Sequence, residues 1–500
     1  MTPIWAATAG PEPGPAKALD HDMTTDVLVI GGGMAGMLCA YMLTQAGCPC
    51  VVAEAKRVGS GVTQNTTAKA TAQHGLIYDQ IIKREGTEKA RRYYEANQAA
   101  VEGLRELARA VPCDFEDRTT YVYAEGTPEN LERELSAYER LGIPHQVISE
   151  VPVPVANRGA LGMEGQAQFN PLKLLYGLMP AVDVYEHAFV TGVDGNTAHT
   201  DHGSITADHV VFATHYPLVN IPGLYFMKLH QERSYALALQ GVPPVDGMYI
   251  GEGGGFSFRT YQDYLLIGGG GHRTGQGPTP DEGYAKIRRF VGQTYERPAE
   301  RYAWATQDCM SLDKMPYIGV HRAANPRWYV ATGFSKWGMT GSFVAARAIA
   351  DLILRGESAV EDLFSPRRSM LHPNLFSNLG VSAVDLVKPG KRCSHMGCSL
   401  AHNDVEDSWD CPCHGSRFDE AGNVLDGPAT KPIDVGERLC HPPKKWQATF
   451  TIWGKKAMTK AARITCMMTT SVFSTWRSSR MSAMSDAPAG EAISMPSLRP

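Results

Sequence analysis

The sequence predicts a mixed α/β fold in three parts: a dinucleotide-binding domain on a parallel sheet, a mostly antiparallel β domain, and a small all-β module near the C-terminus. Three observations predict it. Residues 25–30 are a β-prone run that ends at Gly31-Gly32-Gly33-Met34-Ala35-Gly36 and passes into a helix-prone stretch. Residues 230–300 alternate strand-like runs with turn glycines, the pattern of an antiparallel sheet. Two short loops, 393–398 and 411–416, each carry cysteine and histidine at close spacing.

Composition sets the outer limits. Five hundred residues with 43% apolar and 20% charged content suffice for two or three domains with a buried core. A net charge of -4 and the absence of any nucleic-acid motif exclude nucleic acid as the expected partner. No run of eighteen apolar residues occurs, so no transmembrane span is expected. The lead, residues 1–22, is rich in Ala, Pro and Gly and lacks the basic and apolar regions of a secretory signal. The expected location is cytoplasmic. Seven of the eleven cysteines are scattered without a framework spacing, which suits a reducing compartment.

The first domain opens with strand, glycine turn and helix. Glycines permit the tight turn and the close approach of a pyrophosphate, whose charge sits at the helix N-terminus. A second strand, residues 50–53, ends in Glu54 at the distance where an acid accepts the ribose hydroxyls of a dinucleotide. Gly31, Gly33, Met34, Ala35, Gly36, Glu54 and Ala55 are therefore cofactor-binding candidates.

Residues 57–69, with Thr63, Thr66 and Thr67 among small and hydroxyl-bearing neighbours, resemble the second flavin-binding segment of the D-amino-acid oxidase superfamily. Residues 73–78 continue a pattern similar to bacterial FAD-dependent oxidoreductases that carry a C-terminal Rieske domain. The resemblance covers about residues 1 to 435 and implies FAD in a Rossmann-like domain built from 23–80 and 301–360. A dehydrogenase using only NAD would leave these later segments unexplained.

Residues 81–300 are then the substrate domain, with strands at about 160–220 returning to the FAD domain. Val101, Leu104 and Leu107 recur at helical spacing and read as a core face. His187 and His215 end two of the returning strands, and packing or backbone roles outweigh acid-base roles for both. Residues 268–273 resemble the family's loop near the flavin, which makes His272 and Arg273 catalytic candidates. At 304–319, many amino-acid oxidases of the superfamily place an arginine that clamps the substrate carboxylate; alignment puts Asp308 there. An acid in that place favours a cationic amine as substrate. Cys309 is similar to the cysteine that carries covalent flavin in sarcosine oxidases, although a buried free thiol is the simpler reading. Gly333, Lys336, Trp337, Gly338 and Met339 precede a helix expected from about Ser342 to Gly356, whose N-terminus the resemblance aims at the flavin ring. Lys336 and Trp337 fall at the ring's edge on that reading.

After a connector, 361–390, come the two loops. Cys393-Ser-His395 and Cys411-Pro-Cys-His414 resemble a Rieske site, where two thiolates hold one iron of a 2Fe-2S cluster and two imidazoles the other. A Cys2His2 zinc site is the rival, since zinc accepts the same ligands. Against zinc stand the extra Cys398 and Cys413, which fall where Rieske proteins of respiratory complexes tie the loops with a disulfide. Residues 426–429 resemble the proline loop over the cluster, and Phe418 stands where high-potential members have tyrosine, which implies a lower potential. The module, 391–435, is short and must borrow support from the FAD domain. Residues 436–500 read as a flexible tail.

These readings converge on an FAD-dependent oxidoreductase that oxidises a C-N bond and passes electrons singly to an external acceptor. The alternatives are a reductase fed through the cluster and a redox sensor without its own substrate.

Overall fold

The computed structural model describes residues 2–14, 17–279 and 282–435. The expected tail at 436–500 lies outside them. Residues 1–433 form one compact unit.

The lead is not a loose end. Its short helix Ile4–Thr8 (α1) buries Ile4 and Trp5 completely, and the Trp5 indole donates to the Thr66 carbonyl at 2.6 Å. Strand Met23–Ile30 (β1), helix Met34–Gln45 (α2) and strand Cys50–Ala53 (β2) follow as the glycine pattern requires. Gly31 has φ +111, and a Cβ there would lie 2.6 Å from the Ala213 carbonyl oxygen, so only glycine fits. Helix Thr87–Ala110 (α3) buries Val101 and Leu104, the expected core face. Strands Asp183–Glu186 (β3) and Gly203–Phe212 (β4) return to the first sheet: β3 pairs with β2, and β4 with β1, all parallel.

The second sheet is antiparallel except where Met248–Gly251 runs parallel to Glu116–Tyr123. At its edge, Leu229–Gln240 (β5) pairs with both Tyr264–Arg273 (β6) and Ala299–Ser311 (β7). Strand Asn325–Thr332 (β8) then pairs with β4 in parallel and completes the doubly wound sheet.

Helix Gly338–Arg355 (α4) starts four residues before the expected point, with Trp337 as its N-cap and Gly356 ending it in the left-handed conformation. Two glycines in the first turn hid that start, because Gly lowers helix propensity. The connector also holds a helix, Pro373–Val387 (α5), whose proline sits where its missing N–H costs nothing. Beyond it, four short antiparallel strands, Ala401–Asn403, Ser408–Asp410, Arg417–Asp419 and Val424–Asp426, form the C-terminal sheet. Among the described residues no helix is long and apolar enough to cross a membrane.

Candidate functional site

The two cysteine-histidine loops are conformational copies of one another. In the first, Cys393 N–H donates to the Cys398 carbonyl and Gly397 N–H to the Cys393 carbonyl; in the second, Cys411 donates to Ser416 and Gly415 to Cys411. Gly397 and Gly415 occupy the same left-handed position, φ +78 and +81. The loops bring Cys393, His395, Cys411 and His414 together, and Cys398 is joined to Cys413 by a disulfide with Cα atoms 6.7 Å apart.

The imidazoles show the best fit to a metal centre. His395 Nε2 lies 3.2 Å from Asn220 Oδ1, and His414 Nε2 lies 3.0 Å from the Phe226 carbonyl oxygen. Both partners are acceptors, so each ring carries its proton on Nε2 and presents a lone pair on Nδ1. Each Nδ1 is buried and has no partner. Burial pushes His395 down to about 4 and His414 to about 3, so both rings are neutral at ordinary pH, as ligands must be. A hydrogen bond between the thiols holds Cys393 below the usual range and Cys411 above it. The Ser416 hydroxyl accepts from Ala429 N–H at 3.0 Å, which seats the proline loop. Phe418 is fully buried and offers no hydroxyl.

The module is held by the second sheet. Gln231 Nε2 donates to the carbonyls of His414 at 2.8 Å and Gly427 at 2.9 Å, and Gln307 Nε2 donates to Gly415 at 2.8 Å. Arg233 pairs bidentately with Glu406, and both are largely buried. Side chains alternate along β5 and β7, so Gln231, Arg233 and Gln307 share one face of the strand pair. The opposite face carries Glu232, Ser234, Thr306 and Asp308. Further along that face, Ala236 and Trp304 join the core built around α2 and α4. The strand pair is thus a two-faced wall, with the cluster loops against one face and the Glu232 and Asp308 carboxylates beside Lys336 on the other.

On the dinucleotide side the charges are concentrated. Lys336 Nζ lies 2.9 Å from Glu232 Oε2, and Ser234 Oγ donates to Asp308 Oδ2 at 3.4 Å. Burial pushes Asp308 up to about 6, with Glu232 adding to the effect and Lys336 opposing it. Burial also opposes the charge of Glu232, yet His230 and Lys336 hold that carboxyl well below its usual range. Lys336 stays above its own, since Glu232 and Asp308 outweigh its desolvation. Asp308 and Lys336 were read from the sequence; Glu232 and His230 were not, because only the register of β5 against β7 brings them there.

Two other candidates belong elsewhere. Arg273 does not reach this cluster: its guanidinium donates to the carbonyls of Pro412 at 3.0 Å and Cys413 at 3.2 Å and to Asn378 Oδ1 at 3.0 Å. It clasps a cluster loop, a role that a loop arginine beside glycines does not reveal in sequence. His272 is buried, with Nε2 2.9 Å from the Tyr235 hydroxyl and Nδ1 2.9 Å from the Arg273 carbonyl. Both of its ring nitrogens therefore have partners within the protein. His187 and His215 both have positive φ, and His215 is the last residue before buried Tyr216.

The dinucleotide cradle fits FAD. Gly33 caps α2 without a side chain, leaving the helix N-terminus open to an anion, and Met34 N–H is pinned to Thr63 Oγ1 at 3.0 Å. Glu54 stands beside the turn, accepting from Gly32 N–H at 2.6 Å and Lys56 N–H at 2.8 Å. Ala55 follows it, and Ala35 and Gly36 lie buried in the first turn of α2. Near Thr66 and Thr67, Lys69 Nζ reaches Thr67 Oγ1 at 3.1 Å, and Arg259 donates to the Thr67 and Ala68 carbonyls while its other nitrogens lack partners. Burial pushes Lys69 down to about 7 and Arg259 to about 9. Unspent buried donors suit a group rich in acceptor atoms. Gly333 has φ +70, Trp337 stacks on His74 with ring centroids 4.8 Å apart, and Gly338 and Met339 open α4.

One short segment, residues 213–216, links both sites. Ala213 O faces Gly31, and three residues on, the Tyr216 ring lies edge-on to His395 and His414, with centroids 6.3 and 6.4 Å apart. The Tyr216 hydroxyl is buried without a partner.

Comparison with known proteins agrees with this geometry. Residues 26–352 match the family described as DAO, FAD dependent oxidoreductase, and residues 385–439 match the Rieske [2Fe-2S] domain. The YhfW protein of Bacillus subtilis (strain 168), named for a Rieske 2Fe-2S iron-sulfur centre, is 33% identical over 83% of this chain and 94% of its own length. Gamma-glutamylputrescine oxidoreductase of Escherichia coli (strain K12) is 24% identical over 73% of this chain and 91% of its own. Among solved structures, glycine oxidase from Geobacillus kaustophilus shares the fold with a TM-score of 0.59 at 18% identity, covering 69% of this chain and 99% of that one.

Proposed function

The chain belongs to the FAD dependent oxidoreductase (DAO) family and ends in a Rieske [2Fe-2S] domain, and from that premise we propose that it oxidises a cationic amine at the C-N bond and sends the electrons through its own cluster to an external acceptor. Bound FAD supplies a hydride acceptor and the cluster a one-electron carrier. The protein's part is to hold the substrate, set its charge and keep the two groups close. The observation that carries the reading is the two-faced wall of β5 and β7. It offers Glu232 and Asp308 to the dinucleotide domain and grips the cluster loops with Gln231 and Gln307.

Asp308 suits an amine. As a carboxylate it accepts hydrogen bonds from an ammonium, and its value of about 6 lets it take up a proton near neutral pH. Lys336 keeps Glu232 ionised and fixes its orientation, so the site keeps one permanent carboxylate and one that titrates. The gamma-glutamylputrescine enzyme, by its name an amine-directed relative, supports the substrate class. Residues 213–216 run from beside the glycine turn to the cluster imidazoles, with the Tyr216 ring at the end.

The test is an anaerobic titration of the holoprotein with amines and amino acids, following flavin absorbance and the cluster's EPR signal together. An amine that bleaches the flavin, with the reduced-cluster signal growing afterwards, is the expected result. If no compound reduces the flavin while a chemical donor reduces the cluster and then the flavin, the electrons enter at the Rieske end and the amine reading falls.

A further inference from the structure

Helix α5 is inside out. Its buried side includes two polar residues, Asn378 (4% exposed) and Asp385 (8%), along with Leu375. Its outer side carries Phe376 (69% exposed), Leu379 (40%), Val384 (62%), Leu386 (48%) and Val387 (81%), and Leu371 (86%) precedes it. A surface helix ordinarily turns its apolar stripe to the core. Two contacts hold the helix on its inward side: Asn378 Oδ1 accepts from Arg273, whose guanidinium also clasps the second cluster loop, and the Asp385 backbone carbonyl accepts from Ser399 N–H, one residue past the first loop. The helix is thus tied to the second cluster loop through Arg273 and to the end of the first through its C-terminal backbone, with much of its apolar side left outward.

The patch continues beyond the helix. The short helix Tyr225–Lys228 packs against α5, and the loop before it exposes Ile221 (61%) and Leu224 (41%). Asn220 of that loop holds His395. The apolar surface therefore borders the cluster. Contiguous exposed apolar area of this kind marks an interaction site.

Charge selects what it meets. From 363 to 403 the chain carries five cations, Arg367, Arg368, Lys388, Lys391 and Arg392, and a single acid, Asp385, in a protein whose net charge is -4. Asp385 is buried, whereas Arg367, Lys388 and Arg392 are exposed. An exposed apolar stripe with Lys388 and Arg392 just past its C-terminal end, on a helix of 15 residues that is too short to span, suits an interfacial position. We propose that α5 and the adjoining 221–224 loop dock this protein on the surface of an anionic lipid bilayer, laying the helix flat with the cluster loops just above the headgroups. Phe376, Leu379 and Val387 would enter the acyl boundary, and Lys388 and Arg392 would meet the lipid phosphates.

The inference does not depend on the amine reading and is tested apart from turnover. Full-length holoprotein is sedimented with vesicles of phosphatidylcholine alone and of phosphatidylcholine mixed with phosphatidylglycerol. Expected is binding to the mixed vesicles that weakens with salt, and a drop of about tenfold or more in Phe376→Ser/Val387→Ser, with flavin absorbance and cluster EPR unchanged. Lys388→Glu, which touches no core contact, is expected to weaken binding to the mixed vesicles while leaving the weaker binding to neutral ones. Absence of binding to either vesicle overturns the proposal, as does undiminished binding by both variants. A dimer in solution that dissociates in Phe376→Ser/Val387→Ser overturns it too, since a second copy would then cover the patch.

Discussion

The side-chain amide of Gln231 donates to the carbonyl of His414 at 2.8 Å, so a residue of the second sheet holds a cysteine-histidine loop by its backbone. The same amide reaches Gly427, and the fit is close enough that a Cβ on Gly415 would lie 2.5 Å from that of Gln231. Gln231→Leu keeps the volume and orphans two carbonyls, at a cost of about 1–3 kcal/mol each where buried. The expected outcome is a flavin content like that of the parent and a cluster lost at lower temperature, read by following flavin and cluster absorbance during one thermal ramp.

On the proposed reading, Asp308 sets the pH dependence of amine binding. With its pKa at about 6 it is neutral in acid and charged above, so affinity for a cationic amine should rise as pH climbs through about 6. Asp308→Asn should flatten that profile and weaken binding about 10- to 100-fold, the worth of a hydrogen bond to a charged group. The stability of the substrate-free protein follows the opposite sign. The folded state holds this proton more tightly than the unfolded chain, so the contribution is full below the ordinary carboxylate value of 3.8 and lost as pH rises through about 6. Melting temperatures of parent and Asp308→Asn across that window would separate the two effects.

Tyr216 fills the space between the end of β4 and both imidazoles. In Tyr216→Leu, amine-driven flavin bleaching should keep its rate while the cluster signal follows more slowly. Rapid-mixing absorbance with freeze-quench EPR reads the two phases separately. An unchanged second phase would remove Tyr216 from the route.

Cys309 should remain a free thiol. Burial pushes it up to about 12, and its sulfur lies 3.7 Å from Thr332 Oγ1, so almost no thiolate is present to attack a flavin. Denatured holoprotein is expected to release all of its FAD and to show the unmodified chain mass. A mass increased by one FAD that is absent in Cys309→Ser would reverse this.

The parts of the site that were legible in sequence are those whose chemistry restricts residue choice locally. Only glycine turns at Gly31, and few residue sets other than Cys393, His395, Cys411 and His414 hold such a cluster, so short motifs sufficed. Asp308 was legible as a departure from a family pattern. What long-range register creates was not: Glu232 meets Asp308 across a pairing of strands some 76 residues apart in sequence, and Arg273 beside its glycines reads the same whether its partner is a cofactor or the Pro412 carbonyl. Helix α5 escaped notice for a related reason. Pro366, Pro373 and Pro389 suggested a connector, and nothing in the sequence says that the polar side of this helix rather than its apolar one turns inward.

The alternation along β5 and β7 limits how this protein can diverge. Substituting any one residue of the wall alters one side only, so substrate preference and cluster docking can drift separately. Inserting or deleting a single residue in either strand would do something else: beyond that point it would turn the acidic positions toward the cluster loops and the amide positions away from them. Relatives should therefore tolerate changes of letter in these strands far more readily than changes of length, and an aligned gap there would mark a protein that has given up one of its two cofactors.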